Sequence, residues 1–269
     1  MSRYQMYNYG LIGLGNGIYA LKVQICAVYG PLIQECFPQI AFGFAPPPKG
    51  ACNIQVALAT NQETALRALL ELLKNHVILL KNKSLQRLFR DELDHCFALD
   101  YNYGSDENSG TRTYTPFGWF EHSAKESRDE SAAQALAAAM ASFVKNHPLY
   151  DAADAIVPVP PNPSKAYHFP CDLAARLATL TGKDWYNSLV TKRQDTAKMQ
   201  SLPVAQKVPA LESVLTIHPS VAGKRIILVD DLYQSGSTIW TVAKALKAAG
   251  CARVLGLVCV KSWRDTDNT

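Results

Sequence analysis

The stretch RIILVDDLYQSGST, residues 225 to 238, constrains this chain more than any other. Ile226, Ile227, Leu228 and Val229 are four apolar residues in a row, which predicts a strand hidden on both faces. They run straight into two adjacent carboxylates, Asp230 and Asp231. After a short spacer comes a small, hydroxyl-rich run, Ser235, Gly236, Ser237 and Thr238, from which "STIWTVAKALKAAG" opens a helix closed by Gly250. In an open parallel sheet, ligands sit beyond the carboxyl ends of the strands. The unpaired N–H groups and dipole of the following helix favour an anion there. Gly236 lets the backbone approach that anion, and the hydroxyls can hydrogen-bond a phosphate. Two carboxylates beside a phosphate cradle suit a sugar phosphate, because they can accept sugar hydroxyls or help place a divalent metal. A plainer reading makes the aspartates caps of a turn. That accounts for Asp-Asp alone but not for the whole string.

The segments around it alternate. "SRDESAAQALAAAMASFVKNHP" predicts a helix with a Ser127-x-x-Glu130 capping box, a stripe of Ala133, Leu136, Met140 and Phe143, and Pro148 as its stop. "DAIVPVP" predicts a strand, "PCDLAARLATLTG" a helix from Pro170 to Gly182, and "RVLGLVCV" an all-apolar strand. "TYTPFGWFEH" reads as extended. Strands apolar on both faces, alternating with helices, predict an α/β fold with a covered parallel sheet.

The first hundred residues differ in character. "YGLIGLGNGIYALKV" predicts a strand-turn-strand, and its glycines lack the spacing of a dinucleotide fingerprint. "NIQVALA" alternates as a strand. "TNQETALRALLELLKN" opens with a Thr60-x-x-Glu63 capping box and carries Leu66, Leu69, Leu70 and Leu73 at helical spacing. A second helix is expected over about 85 to 96, from Leu85, Leu88, Phe89 and Leu93. The polar run "YGSDENSGTR" marks a boundary, giving an α+β region over 1–108 and a second domain over 109–269.

Composition serves mainly to exclude. A formal net charge of +4 with no stripe of basic and aromatic residues disfavours direct nucleic-acid binding. No apolar run reaches the ~20 residues needed to span a bilayer, and no signal peptide opens the chain. Seven scattered cysteines without a CxxC pair predict reduced, buried thiols. The expectation is a cytoplasmic protein with no membrane partner.

"ILVDDLYQSGST" resembles the phosphoribosyl-pyrophosphate (PRPP) signature of type I phosphoribosyltransferases. Residues 110 to 262, through "WFEHSAKE", "DAIVPVPPNPSK", "KRQDTAKMQSL" and the signature itself, resemble the ComF-like branch, named for a competence protein of DNA uptake. The resemblance implies a type I phosphoribosyltransferase-like parallel sheet flanked by helices, with the N-terminal α+β region as a hood or a surface for a second copy or another protein. It implies that Asp230 and Asp231 contact the ribose hydroxyls and that Gln234, Ser235, Gly236, Ser237 and Thr238 bind the ribose 5-phosphate. Lys165, in "PPNPSKAYHF", would serve the pyrophosphate, with Lys125 also facing the phosphates. Lys192, Arg193 and Gln200 would lie on a loop that closes over the site, and Tyr233 is a candidate to face the ligand. Mg2+ would enter with PRPP, held indirectly by Asp230 and Asp231. The implied catalytic set is Asp230, Asp231, Lys192 and Arg193.

The chemistry implied is transfer of phosphoribosyl from PRPP to an unidentified acceptor with release of pyrophosphate. Cations would stabilise the leaving group while the acidic pair and phosphate loop orient the ribose. Two departures stand out. Where the branch carries Arg-Gly-Phe-Asn-Gln, this chain has "AYHFPCD", keeping only Phe169. Where purine-specific relatives place an Asp, it has Gln234, and an amide is not a general base. The alternative to an enzyme is a non-catalytic regulator that binds PRPP or a nucleotide, or a protein of DNA uptake. His168 could contact phosphate or be structural; for Trp240, packing on the sheet is the better reading.

Overall fold

The structure, a computed structural model, describes residues 6–25, 28–45, 50–75, 77–80, 92–105, 111–196 and 204–263. The chain divides into two compact units: Met1–Ile78 with Phe143–Asp151, and Leu79–Ser142 with Ala152–Thr269.

In the first unit, β1 (Met6–Gly15), β2 (Ile18–Ile25) and β3 (Ala51–Ala57) form an antiparallel sheet in that order. The turn between β1 and β2 is Asn16-Gly17, both at positive φ (52° and 73°), the backbone that tight hairpins require. The glycine-rich stretch is thus a hairpin, as its spacing predicts. After helix α1 (Tyr29–Cys36), helix α2 (Thr60–Asn75) buries Leu66, Leu69, Leu70 and Leu73, the predicted stripe. Its start corrects the capping-box reading. Gln62 Oε1 accepts from the Ala59 N–H at 2.9 Å, while Glu63 pairs with Arg67 and Tyr19. Arg67 also donates to the Leu11 carbonyl at 2.8 Å, which ties α2 to β1.

The second unit is built on a six-stranded sheet of order β4-β5-β13-β12-β8-β9. Its members are β4 (Ile78–Leu79), β5 (His95–Tyr101), β8 (Ala155–Pro158), β9 (Asp184–Trp185), β12 (Arg225–Tyr233) and β13 (Arg253–Lys261). The pairs β5/β13, β13/β12, β12/β8 and β8/β9 are all parallel. Two small ladders flank it: β6 (Tyr103–Ser105) with β7 (Arg112–Tyr114), and β10 (Val190–Lys192) with β11 (Leu215–Ile217). The expected helix over 85 to 96 lies largely outside the described residues. Where it is described it is replaced by β5, whose His95 and Cys96 pair with β13.

The remaining helices are α3 (Pro116–Glu126), α4 (Glu130–Asn146, in this unit as far as Ser142), α5 (Pro148–Asp151, counted with the first unit), α6 (Phe169–Thr181), α7 (Val204–Glu212) and α8 (Ser237–Ala248). Two of them correct the sequence reading. "TYTPFGWFEH" is extended only to Tyr114; Thr115 then caps α3 by accepting from the Gly118 N–H at 3.0 Å, with Pro116 at the first helical position. In α4 the cap is Asp129, whose Oδ1 accepts from Ser131 and Ala132, not Ser127. Glu130 instead pairs with Arg176 of α6.

Both faces of the sheet are covered. A Cβ on Gly256 would meet Ile239 of α8, whereas Cys259, on the opposite face of β13, touches Met140 of α4. Within the sheet, β8 leads through α6 to β9 on one side, and β12 leads through α8 to β13 on the other. The adjacent strands β8 and β12 therefore form the switch point where a crevice opens at their carboxyl ends. The cysteines among the described residues are free thiols, and no described helix is long and apolar enough to cross a membrane.

Gly118 sits where α3 crosses the end of β5. A Cβ there would overlap the Asn102 carbonyl, a backbone atom that cannot rotate away. Gly118→Ala is expected to cost about 2–3 kcal/mol in urea unfolding, through overpacking with no side chain to relax.

Candidate active site

The pairing of β12 with β8 ends at Val229 opposite Pro158, and the Val159 N–H closes it on the Val229 carbonyl at 2.9 Å. Asp230 and Asp231 thus lie one step beyond the last β8 partner, at the mouth of the crevice, while β13 continues beside them to Lys261. Each carboxylate holds its own backbone: Asp230 Oδ1 accepts from the Asp231 N–H (2.9 Å) and Asp231 Oδ1 from the Leu232 N–H (2.7 Å). Asp231 Oδ2 also receives Lys125 Nζ of α3 at 2.8 Å, and Lys125 reaches Glu121 Oε1 at 3.5 Å.

The two aspartates differ electrostatically. Burial, followed by the neighbouring charge of Asp231, pushes the Asp230 carboxyl well above its usual range. Burial works the same way on Asp231, but the Lys125 ammonium, together with hydrogen bonds from Lys125, Asp230 and the Leu232 N–H, brings that carboxyl below its usual range. The pair is therefore asymmetric, with the Asp230 carboxyl raised and the Asp231 carboxyl lowered. Lys125 loses to burial but gains more from Asp231, Glu121 and Asp230, which raises it further above the lysine range. Glu121 is buried, and desolvation raises its carboxyl.

Beyond the pair, Gly236 takes φ +78° and precedes α8 without any side-chain cap. A Cβ there would meet the Tyr233 hydroxyl and ring, and the left-handed backbone itself favours glycine. Ser235 and Ser237 exchange a hydroxyl hydrogen bond at 2.9 Å. A pocket of about 170 Å³ is lined by Asp230, Leu232, Tyr233, Gln234, Ser235, Gly236, Ser237, Thr238 and Ile239, together with Lys207 of α7.

The loop after β8 brings the remaining cations. Asn162 Oδ1 accepts from Lys192 Nζ (3.1 Å) and from Thr196 Oγ1 (2.9 Å), and the Ser164 N–H donates to Asp195 Oδ1 (3.0 Å). These bonds clasp the 160s loop to the chain after β10. Lys192 is lowered by burial, opposed by Asp230 and reinforced by Lys165. His168 is pushed down to about 4, first by burial and then by Lys165, Lys192 and Lys125 against the pull of Asp231. It is neutral at pH 7, with Nδ1 3.3 Å from Cys171 Sγ.

Asp230, Tyr233 and Gln234 to Thr238 thus share one pocket, and Lys125, Lys165 and Lys192 act electrostatically on the same cluster. Arg193 is held elsewhere, donating to the Ser213 carbonyl at 2.5 Å. Gln200 lies outside the described residues. Trp240 is buried, in keeping with the packing reading. The sequence reading did not single out Glu121, Asn162 or Lys207. For Lys207 a local signal exists: it stands beside Val208 and four residues before Leu211, so it occupies an apolar position of its helix.

A protein-family model of the phosphoribosyl transferase domain matches residues 129–265. No curated protein matches the chain. Among solved structures, the adenine phosphoribosyltransferase from Thermoanaerobacter pseudethanolicus is 17% identical, with 61% of this chain and 95% of that chain covered and a TM-score of 0.35. The orotate phosphoribosyltransferase from Aeropyrum pernix is 18% identical, covering 60% and 74%, at a TM-score of 0.34. The UMP synthase from Leishmania donovani is 14% identical at a TM-score of 0.33; 60% of this chain aligns, spanning only 28% of that one.

The raised Asp230 carboxyl has a measurable consequence. Between the ordinary value of 3.8 and its folded value, the folded state holds a proton that the unfolded state releases, so stability falls as pH rises through that window. Asp230→Asn removes the dependence. The variant is expected to melt with the parent near pH 4 and above it by about 2–4 °C at pH 7.5, as followed by circular dichroism.

Proposed function

Because the chain belongs to the phosphoribosyl transferase domain family, we propose that it is a Mg2+-dependent phosphoribosyltransferase that moves phosphoribosyl from PRPP to an acceptor and releases pyrophosphate. The observation that carries this reading is the shared pocket of the Asp230 end of β12 and the Ser235–Thr238 turn at the start of α8. One end offers acceptors for ribose hydroxyls and the other offers backbone N–H groups to a phosphate, a few residues apart.

In this reading, the Ser235–Thr238 turn holds the 5-phosphate and the aspartate pair orients the ribose. Lys125, Lys165 and Lys192 face the pyrophosphate side, where negative charge builds as the bond to ribose C1 breaks. Two adjacent carboxylates are an all-oxygen donor set that suits Mg2+, which binds through one or two carboxylates plus substrate phosphates. Asp230 and Asp231 would hold it, and when bound it would neutralise charge on the departing pyrophosphate. The clasp of Asn162 with Lys192 and Thr196 would keep the two loops together over the site and exclude water. Gln234 disfavours a purine acceptor activated by an aspartate base. The ComF-like assignment belongs to the same proposal.

Calorimetric titration of PRPP with Mg2+ tests the reading. The intact chain is expected to bind only when Mg2+ is present, and Asp230→Asn/Asp231→Asn to weaken binding by about a hundredfold or more. Pyrophosphate release across a panel of acceptors then separates an enzyme from a regulator that keeps the pocket. Absence of PRPP binding by the intact chain sinks both.

A further inference from the structure

Lys207 is 5% exposed, on a helix whose neighbouring Val208 and Leu211 are buried as well. A lysine in a core position is costly unless something receives its charge. Other cations nearby have partners: Lys244 of α8 meets Glu212 at the far end of α7, Lys192 meets Asn162, and Lys125 meets Asp231. Lys207 makes no hydrogen bond or ion pair among the described residues. It lines the pocket formed by Asp230 and the Ser235–Thr238 turn, which leads into the uncapped first turn of α8. Two sources of positive potential, a helix N-terminus and a lysine side chain, therefore line one cavity.

We propose that Lys207 is a binding residue of this cradle, its ammonium reaching from α7 to take a phosphate monoester whose other oxygens lie on the α8 N-terminus. This deepens the transferase reading and rests on it for the identity of the sugar. It gives the cradle a charged contact as well as a dipole, so that the site selects a phosphorylated sugar over the free one. The placement also explains why a helix that packs on α8 carries a lysine at its interface.

The test titrates ribose 5-phosphate, which lacks the pyrophosphate and so reports on this end of the site alone, and separately PRPP with Mg2+. Both are run on the full-length parent, Lys207→Met and Lys207→Arg, with melting temperatures measured alongside. Lys207→Met is expected to weaken both ligands by about tenfold or more while melting no lower than the parent. Lys207→Arg should bind within about threefold of the parent, since a cation is kept. If Lys207→Met binds both ligands as the parent does, the role of Lys207 is overturned and the transferase reading stands. If the parent binds ribose 5-phosphate through Lys207 but not PRPP, the cradle stands and the transferase reading falls. If Lys207→Met melts several degrees lower, Lys207→Arg decides: retained binding supports the charged contact, and lost binding makes the lysine structural. A parent that binds neither ligand overturns both.

Discussion

Ile226, Ile227, Leu228 and Val229 have no accessible surface, and a strand that hides both faces must be flanked by strands and roofed by helices on each side. That requirement places β12 between β8 and β13 and brings α8 and α4 over opposite faces of the sheet. At ~1.5–3 kcal/mol per buried aliphatic side chain, the four residues contribute on the order of 10 kcal/mol. That is enough to hold the next two residues, both acidic, in a place where carboxylates are poorly solvated. The site follows from the strand: its carboxylates stand at the edge of the core because the residues before them cannot leave it.

Two carboxylates at that edge cannot both be ionised without help, and α3 supplies one cation, Lys125, to one of them. The result is an asymmetric pair, with the Asp231 carboxyl held below its usual range and that of Asp230 well above it. The position of Lys125 depends in turn on Thr115 and Gly118, which set the start of α3 against Asn102. A backbone contact at the first turn of α3 thereby helps set where its last turn presents Lys125.

Much of this was legible in local patterns. The strands around Ile156, Leu228 and Leu255, the helices after Pro170 and Ser237, and the leucine stripe of α2 all followed from periodicity. The start of α3 was missed because aromatic and threonine-rich composition favours a strand, whereas Thr115-Pro116 is a helix start. The caps of α2 and α4 were misplaced because Glu63 and Glu130 are drawn to Arg67 and Arg176, leaving Gln62 and Asp129 to meet the helix ends. β5 was hidden because its place beside β13 is a long-range pairing with no local signature.

By itself the amino-acid order determined what is local: a fully buried strand, a pair of aspartates at its end, and a glycine–hydroxyl turn that opens a helix. These rest on side-chain period and backbone freedom, which a short segment carries within itself. Only the tertiary structure decided that the β8 pairing ends one residue before Asp230, that Lys125 pairs with Asp231, that Asn162 clasps Lys192, and that Lys207 lines the pocket at the Ser235–Thr238 turn. Those are meetings between residues distant in sequence, set by which faces pack together, and charge and solvation at the site are properties of the meeting rather than of either partner.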